Sequence, residues 1–266
     1  MTETPTYNNP PVVEFVLGVQ FSPLTKFVSG HYGLFWKELG AAWEKPEDAP
    51  AINVQFELFD TPKWSHRKGV QFRLGKGVPT DRFILHHRGQ NRLIQVQPTR
   101  FHLNWRTSGE LKPSYKVLIS EFEAVFAQFE AFVRTNELGK LELNQWEITY
   151  IDSFPQVDYW QTPVDWSQFL PGLFGNLFTT PGLVLENREA QWSFEIQPKR
   201  GRVHIAAQVG RWRDQQNDSL LVDTTARGPI GKGGVTTLRE GLDLGHDVSV
   251  QSFLAMTSND IKRRWE

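Results

Sequence analysis

Cysteine is absent from this 266-residue chain, which excludes disulfides, thiolate metal sites and cysteine nucleophiles together. No run approaches the roughly 20 apolar residues of a membrane-spanning helix. The start, MTETPTYNNPP, is polar and proline-rich without a basic or apolar leader segment, so the reading is a cytosolic protein with no membrane association. Recognisable reaction motifs are missing too: neither G-x-S-x-G nor H-E-x-x-H occurs, and no catalytic, cofactor-binding or metal-ligating residue is assigned. His86 and His87 are adjacent and would point to opposite faces of a strand, so they cannot share a metal, while the remaining histidines stand alone in sequence.

Aromatic residues are plentiful, with ten Trp and nineteen Phe, which implies a core or binding face built from large rings. The net charge of −1 hides an asymmetry. Between residues 61 and 116 twelve Lys/Arg stand against Asp81 and Glu110, whereas 13 basic residues meet 17 acidic ones from 137 onward.

The hydrophobic pattern predicts strands at 12–21, 52–59, 69–74, 82–88, 92–98 and 100–105, with a short helix over 34–43. After Pro113, Leu118, Phe122, Val125, Phe129 and Phe132 recur at helical spacing, with Ser114 as N-cap and Asn136–Gly139 as the stop. The second half repeats the plan. Strands fall at 146–155, 183–187, 191–198, 202–209 and 219–226; a short segment at 164–175 is broken by Pro171, and a last helix over 244–265 is interrupted near Thr257-Ser258. Glu14 precedes Phe21 by seven residues, as Glu147 precedes Phe154, which makes the two acids repeat-equivalent: catalytic partners from two halves, or carboxylates each held by a local cation.

The fold expected is α+β: two tandem strand–helix–antiparallel strands–helix repeats, 1–138 (basic) and 139–266 (acidic). Helices would pack on one face of a curved sheet, on a TATA-binding-protein-like or helix-grip-like plan.

Tyr7 with PPVVE at 10–14, LIQVQPTRFHLNWR at 93–106, Tyr115, Glu147, Tyr150-Ile151-Asp152, LLVD at 220–223, His246 and Phe253 span nearly the whole chain. In these residues it resembles a sporadically distributed bacterial protein family. The family's Tyr-x-Asn-Arg stands here as Tyr150-Ile151-Asp152-Ser153. The resemblance implies a fold and no reaction; its distribution suggests toxin–antitoxin or phage-defence cassettes.

Strand alternation places Arg100, His102, Asn104 and Arg106 on one side and Phe101, Leu103 and Trp105 on the other. If helices cover the apolar side, the open face is basic. The leading expectation is a non-enzymatic binding module, an antitoxin-like or defence-cassette component engaging a partner protein through this face. The alternatives are a nucleic-acid binder gripping phosphates through Lys63, Arg67, Lys68, Arg82, Arg88, Arg92, Arg100 and Arg106, and an enzyme or small-ligand binder. The Gly-rich stretch at Gly228, Lys232 and Gly233 is a candidate anion loop, although no hydroxyl residue follows the lysine as a phosphate loop requires.

Overall fold

The computed structural model describes residues 7–59, 81–89, 91–107, 112–175, 178, 180–213, 216–231 and 233–266. The strand expected at 69–74, and Lys63, Arg67, Lys68 and Lys232, lie outside them.

The chain runs β1 (Val12–Phe21), α1 (Gly30–Leu39), β2 (Trp43–Pro50), β3 (Asp81–His87), β4 (Arg92–Gln97), β5 (Arg100–Arg106) and α2 (Tyr115–Thr135). It continues through β6 (Leu143–Pro155), the single turns α3 (Gln156–Tyr159) and α4 (Trp166–Phe169), β7 (Ala190–Ile196), β8 (Gly201–Gly210) and β9 (Ser219–Pro229), and closes with α5 (Leu238–Met256) and α6 (Asn259–Arg263). The described strands form one antiparallel sheet in the order β2-β3-β4-β5-β1-β6-β9-β8-β7, with helices on one side. β1 and β6 are neighbours at its centre, so both halves of the chain share the sheet.

α2 forms because its apolar residues recur every three or four positions. Leu118, Phe122, Phe126, Phe129 and Phe132 are all buried, while Val125 is only partly so. Ser114 is extended and its carbonyl accepts the first helical amides, but its side chain makes no cap hydrogen bond. Phe101 from β5 and Phe21 from β1 pack into this row of rings.

α5 sits unusually close to the sheet because of two glycines. A Cβ on Gly241 would lie 2.3 Å from the Trp146 ring, and one on Gly245 2.6 Å from Ile148 Cγ2. Any other residue there would push the helix outward. Among the described residues no helix is long and apolar enough to cross a membrane.

Two strand expectations fail. Residues 52–59 alternate like a strand, yet 51–59 has no regular structure; the strand instead precedes it, as β2. Pro46 and Pro50 are tolerated in β2 because it is the edge of the described sheet, where a missing N–H can face outward. Residues 183–187 also have no regular structure, and Leu183 and Val184 are exposed. The helix expected at 34–43 starts earlier and stops at Leu39, leaving Trp43 to open β2.

Candidate functional site

Two polar constellations lie on opposite faces of the sheet. On the face away from the helices, the residues expected to form an open basic surface are largely covered. Segment 51–59 crosses this face, and its backbone is held by glutamine side chains instead of a neighbouring strand. Gln97 exchanges hydrogen bonds with the N–H and carbonyl of Ile52, Gln20 Oε1 accepts from the Gln55 amide, and Gln145 bonds the Gln55 carbonyl and the Glu57 amide. At the end of the segment Glu57 is buried between Arg202 and Arg227, each at 2.7 Å, and His204 at 2.8 Å. Burial pushes the Glu57 carboxyl up, but hydrogen bonds from His204, Arg227 and Arg202 outweigh it and hold the group well below the usual range.

The neighbouring acids are likewise paired. Glu147 receives both Oε contacts from Arg100 at 3.1 and 3.2 Å, and its carboxyl is held low against burial by Arg100 and Arg227. Glu14 accepts from Asn104 at 2.5 Å and lies 3.0 Å from Arg106 Nε. His102 packs so tightly on β1 that a Cβ on Gly18 would lie 2.5 Å from its ring; burial drives it down to about 3, so it is neutral at its 3.5 Å approach to Glu147.

The proposed phosphate contacts therefore differ from the surface expected of them. Arg100 is only 4% exposed and bonded to Glu147 and Gln20. Arg106 pairs with Glu14, Arg92 with Glu121 and Arg88 with Glu44; Arg82 is partly buried, and its Nε has no hydrogen-bond partner. Gly228 lies within β9 and not in a loop: a Cβ there would meet the Arg200 carbonyl oxygen at 2.2 Å, which explains the glycine by packing. Gly233, at φ +85°, takes a left-handed turn conformation.

On the helix side a cavity of about 520 Å³ opens between the start of α2 and the middle of α5. Its floor is the sheet: Phe15, Trp105, Tyr150, Asp152 and Thr224. A register shift between Val12 and Glu14 lets Val12 line the cavity together with Phe15, three residues away. His246, Ser249, Val250 and Phe253 stand at one-face helical spacing along α5, while Tyr7, Pro10 and Lys112 border the opening formed by the chain ends of β1 and α2.

The cavity wall is rigidly set. Tyr150 Oη and His246 Nδ1 are 2.6 Å apart, and the Tyr115 ring stacks on His246 with centroids 4.0 Å apart and planes 4° apart. Tyr115 donates to Asp243 at 2.7 Å, and Asp243 is held in turn by Arg239. Burial lowers the His246 pKa and raises that of Tyr150 well above the ordinary value, so both are neutral near pH 7.

Against this satisfied wall stands a set of unsatisfied groups. The Asp152 side chain is 4% exposed and makes no hydrogen bond or ion pair among the described residues. Burial pushes its carboxyl up to about 7, opposed by Lys112 and reinforced by Asp223. The hydroxyls of Thr224 and Ser249, both buried, have no partner among the described residues either. Lys112 Nζ donates one hydrogen bond to the Pro10 carbonyl. A carboxyl and two hydroxyls without partners, set among aromatic rings, form an incomplete hydrogen-bonding site.

The sequence contained a signal for this site that residue chemistry alone did not isolate. Tyr150 and Asp152 are two apart on one strand and so share a face, and Tyr115, His246 and Phe253 belong to the pattern that carries the family resemblance. Glu14 and Glu147, the acids that stand out in the sequence, are on the other face. No protein-family model matches this chain and no curated protein matches it, so the site is read from its own geometry.

Proposed function

We propose that this chain is a non-enzymatic small-ligand-binding protein whose site is the cavity between α2, α5 and the sheet. The single observation that carries this reading is Asp152: a buried carboxyl with no hydrogen-bond or ion-pair partner among the described residues, lining a cavity of about 520 Å³. Leaving such a group unsatisfied costs free energy, and the cavity falls in the size range of ligand pockets, about 300–1,000 Å³. Binding is favoured over turnover because, among the described residues, no nucleophile is hydrogen-bonded to Asp152. The strand order places β3-β4-β5-β1 against β7-β8-β9-β6, mirrored about the β1–β6 seam, which supports the tandem-repeat, TATA-binding-protein-like reading. The cavity then lies at the junction of the two repeats, where pockets commonly form.

A thermal-shift screen of amphipathic small molecules tests this. Ligands are expected to raise Tm by several degrees in the native chain and to lose that effect in Val250→Trp, whose half-buried position allows the indole to fill the cavity. Shifts that persist undiminished in a folded Val250→Trp variant would overturn the assignment.

The partner-protein reading is supported by a separate observation. No described strand pairs with the outer edge of β7, and Trp192 and Phe194 are exposed on it with their rings stacked 6.1 Å apart. The opposite edge among the described strands, β2, is blunted by Pro46, Pro50, Glu47 and Asp48, whereas β7 carries no proline and a single acid, Glu195. The occupant that satisfies a free strand edge is an extended segment of a partner. A photo-crosslinking residue at Phe194 is expected to label one segment of one protein in the native host, and to lose that product in Ser193→Pro. Scattered products unaffected by the proline would rule strand addition out.

A further inference from the structure

We infer that the cavity's ligand is an organic ammonium ion, held by the unpartnered Asp152 carboxyl within aromatic walls. This rests on the cavity being the ligand site. Tyr7, Phe15, Trp105, Tyr115, Tyr150 and Phe253 all line it. Ring faces attract a cation, the more strongly where water is excluded, and a buried carboxylate does the same. The two hydroxyls of Thr224 and Ser249 supply acceptors for further N–H groups of a protonated amine.

The other ligand charges fit less well. An anion would face the Asp152 carboxyl and electron-rich rings; two lysines, Lys112 and Lys116, stand along the described cavity border, and Lys112 already donates one of its hydrogen bonds to the Pro10 carbonyl. A neutral ligand could hydrogen-bond the same groups but would gain nothing from the ring faces as a cation does. The source of the ammonium is either a free amine or a lysine side chain on a peptide, since both offer the same head group.

The charged and titratable groups around Asp152 set the pH dependence. Lys112, before α2, opposes protonation, and Asp223 on β9 favours it; Tyr150 on the same strand, Tyr115 on α2 and His246 on α5 stay neutral near pH 7. With the Asp152 carboxyl at about 7, its ionised fraction rises roughly tenfold from pH 6 to pH 8, and ammonium affinity should rise with it.

Calorimetric titration of the full chain decides between the ligand classes. The probes are 2-phenylethylamine, its neutral counterpart 2-phenylethanol, and Nα-acetyl-lysine methylamide. At pH 8 at least one of the two amines is expected to bind at least about tenfold more tightly than the alcohol. That advantage should shrink about tenfold at pH 6 and vanish in Asp152→Asn, while alcohol binding stays within about twofold. Binding of phenylethylamine alone identifies a free amine, and binding of the lysine amide identifies a peptide side chain. If the alcohol equals or exceeds both amines, the ammonium inference is overturned and the cavity reading survives. If no probe binds, the inference is likewise overturned, and the Val250→Trp screen then judges the cavity by itself.

Discussion

Replacing Asp152 by Asn is expected to make the protein more stable at pH 8, the reverse of what removing a buried charged residue usually does. The Asp152 carboxyl is pushed up to about 7 in the folded chain by burial, from an ordinary aspartate value of 3.8. Between those values the native state retains a proton that the unfolded chain has released. Stability contributed by this group is therefore full below about pH 4, falls as pH rises through the window, and is lost above pH 7. The shift corresponds to a penalty of at most about 4 kcal/mol at pH 8, and a gain of roughly 2–4 kcal/mol is expected for Asp152→Asn there. At pH 4 the folded Asp152 carboxyl is protonated and as uncharged as the amide that replaces it, and the difference should fall below about 1 kcal/mol. Urea denaturation at the two pH values measures this directly. A loss of stability at pH 8 would mean that the carboxylate has a structural partner, and the ligand site would lose its anchor.

That expectation bears on why the residue is there. On the proposed reading, a carboxyl that destabilises the free protein at neutral pH is offset by a ligand that stabilises its ionised form, and such trade-offs concentrate at functional sites. The satisfied surroundings sharpen the contrast. Tyr150, Tyr115, His246 and Asp243 all have hydrogen-bond or stacking partners, whereas Asp152, Thr224 and Ser249 in the same cavity have none among the described residues.

What the sequence conveyed follows from the range of the interactions involved. The phenylalanine spacing of α2 and the alternation of β5 are local patterns, and both survive folding as read. The α+β class and the helices on one side of an antiparallel sheet follow from the same patterns. Residues 52–59 alternate like a strand, but their backbone partners are Gln97, Gln20 and Gln145 side chains from three different strands. No local pattern announces such a crossing. The burial of Arg100 has the same origin, because the covering segment and Glu147 are distant in sequence. Asp152 and His246 meet at one cavity only because Gly241 and Gly245 let α5 descend onto Trp146, a consequence of packing that no spacing rule carries.

Replacing Glu57 by Ala should have the second large effect, and in the opposite direction. The change leaves Arg202 and Arg227 buried without their shared carboxylate, and breaking such a cluster costs about 3–5 kcal/mol. Urea denaturation at pH 7 measures the loss, and limited proteolysis should show earlier cleavage within 51–59, since Glu57 anchors that end of the segment. Adding Arg202→Met to Glu57→Ala should recover part of the stability, because it removes one of the uncompensated cations. The folded carboxyl lies below its ordinary range, so the stabilisation it provides is present above about pH 4.5 and is lost as pH falls below that value. In the Glu57→Ala variant this part of the acid sensitivity should disappear. A loss under about 1 kcal/mol with unchanged cleavage would mean that the glutamine bonds alone hold the segment. The expected larger loss instead ties the two faces of the sheet together. Arg227 reaches both Glu57 and Glu147, and β6 carries Glu147 on one face and Asp152 on the other. The clasp that fixes the crossing segment thus also steadies the strand that presents the cavity's carboxyl.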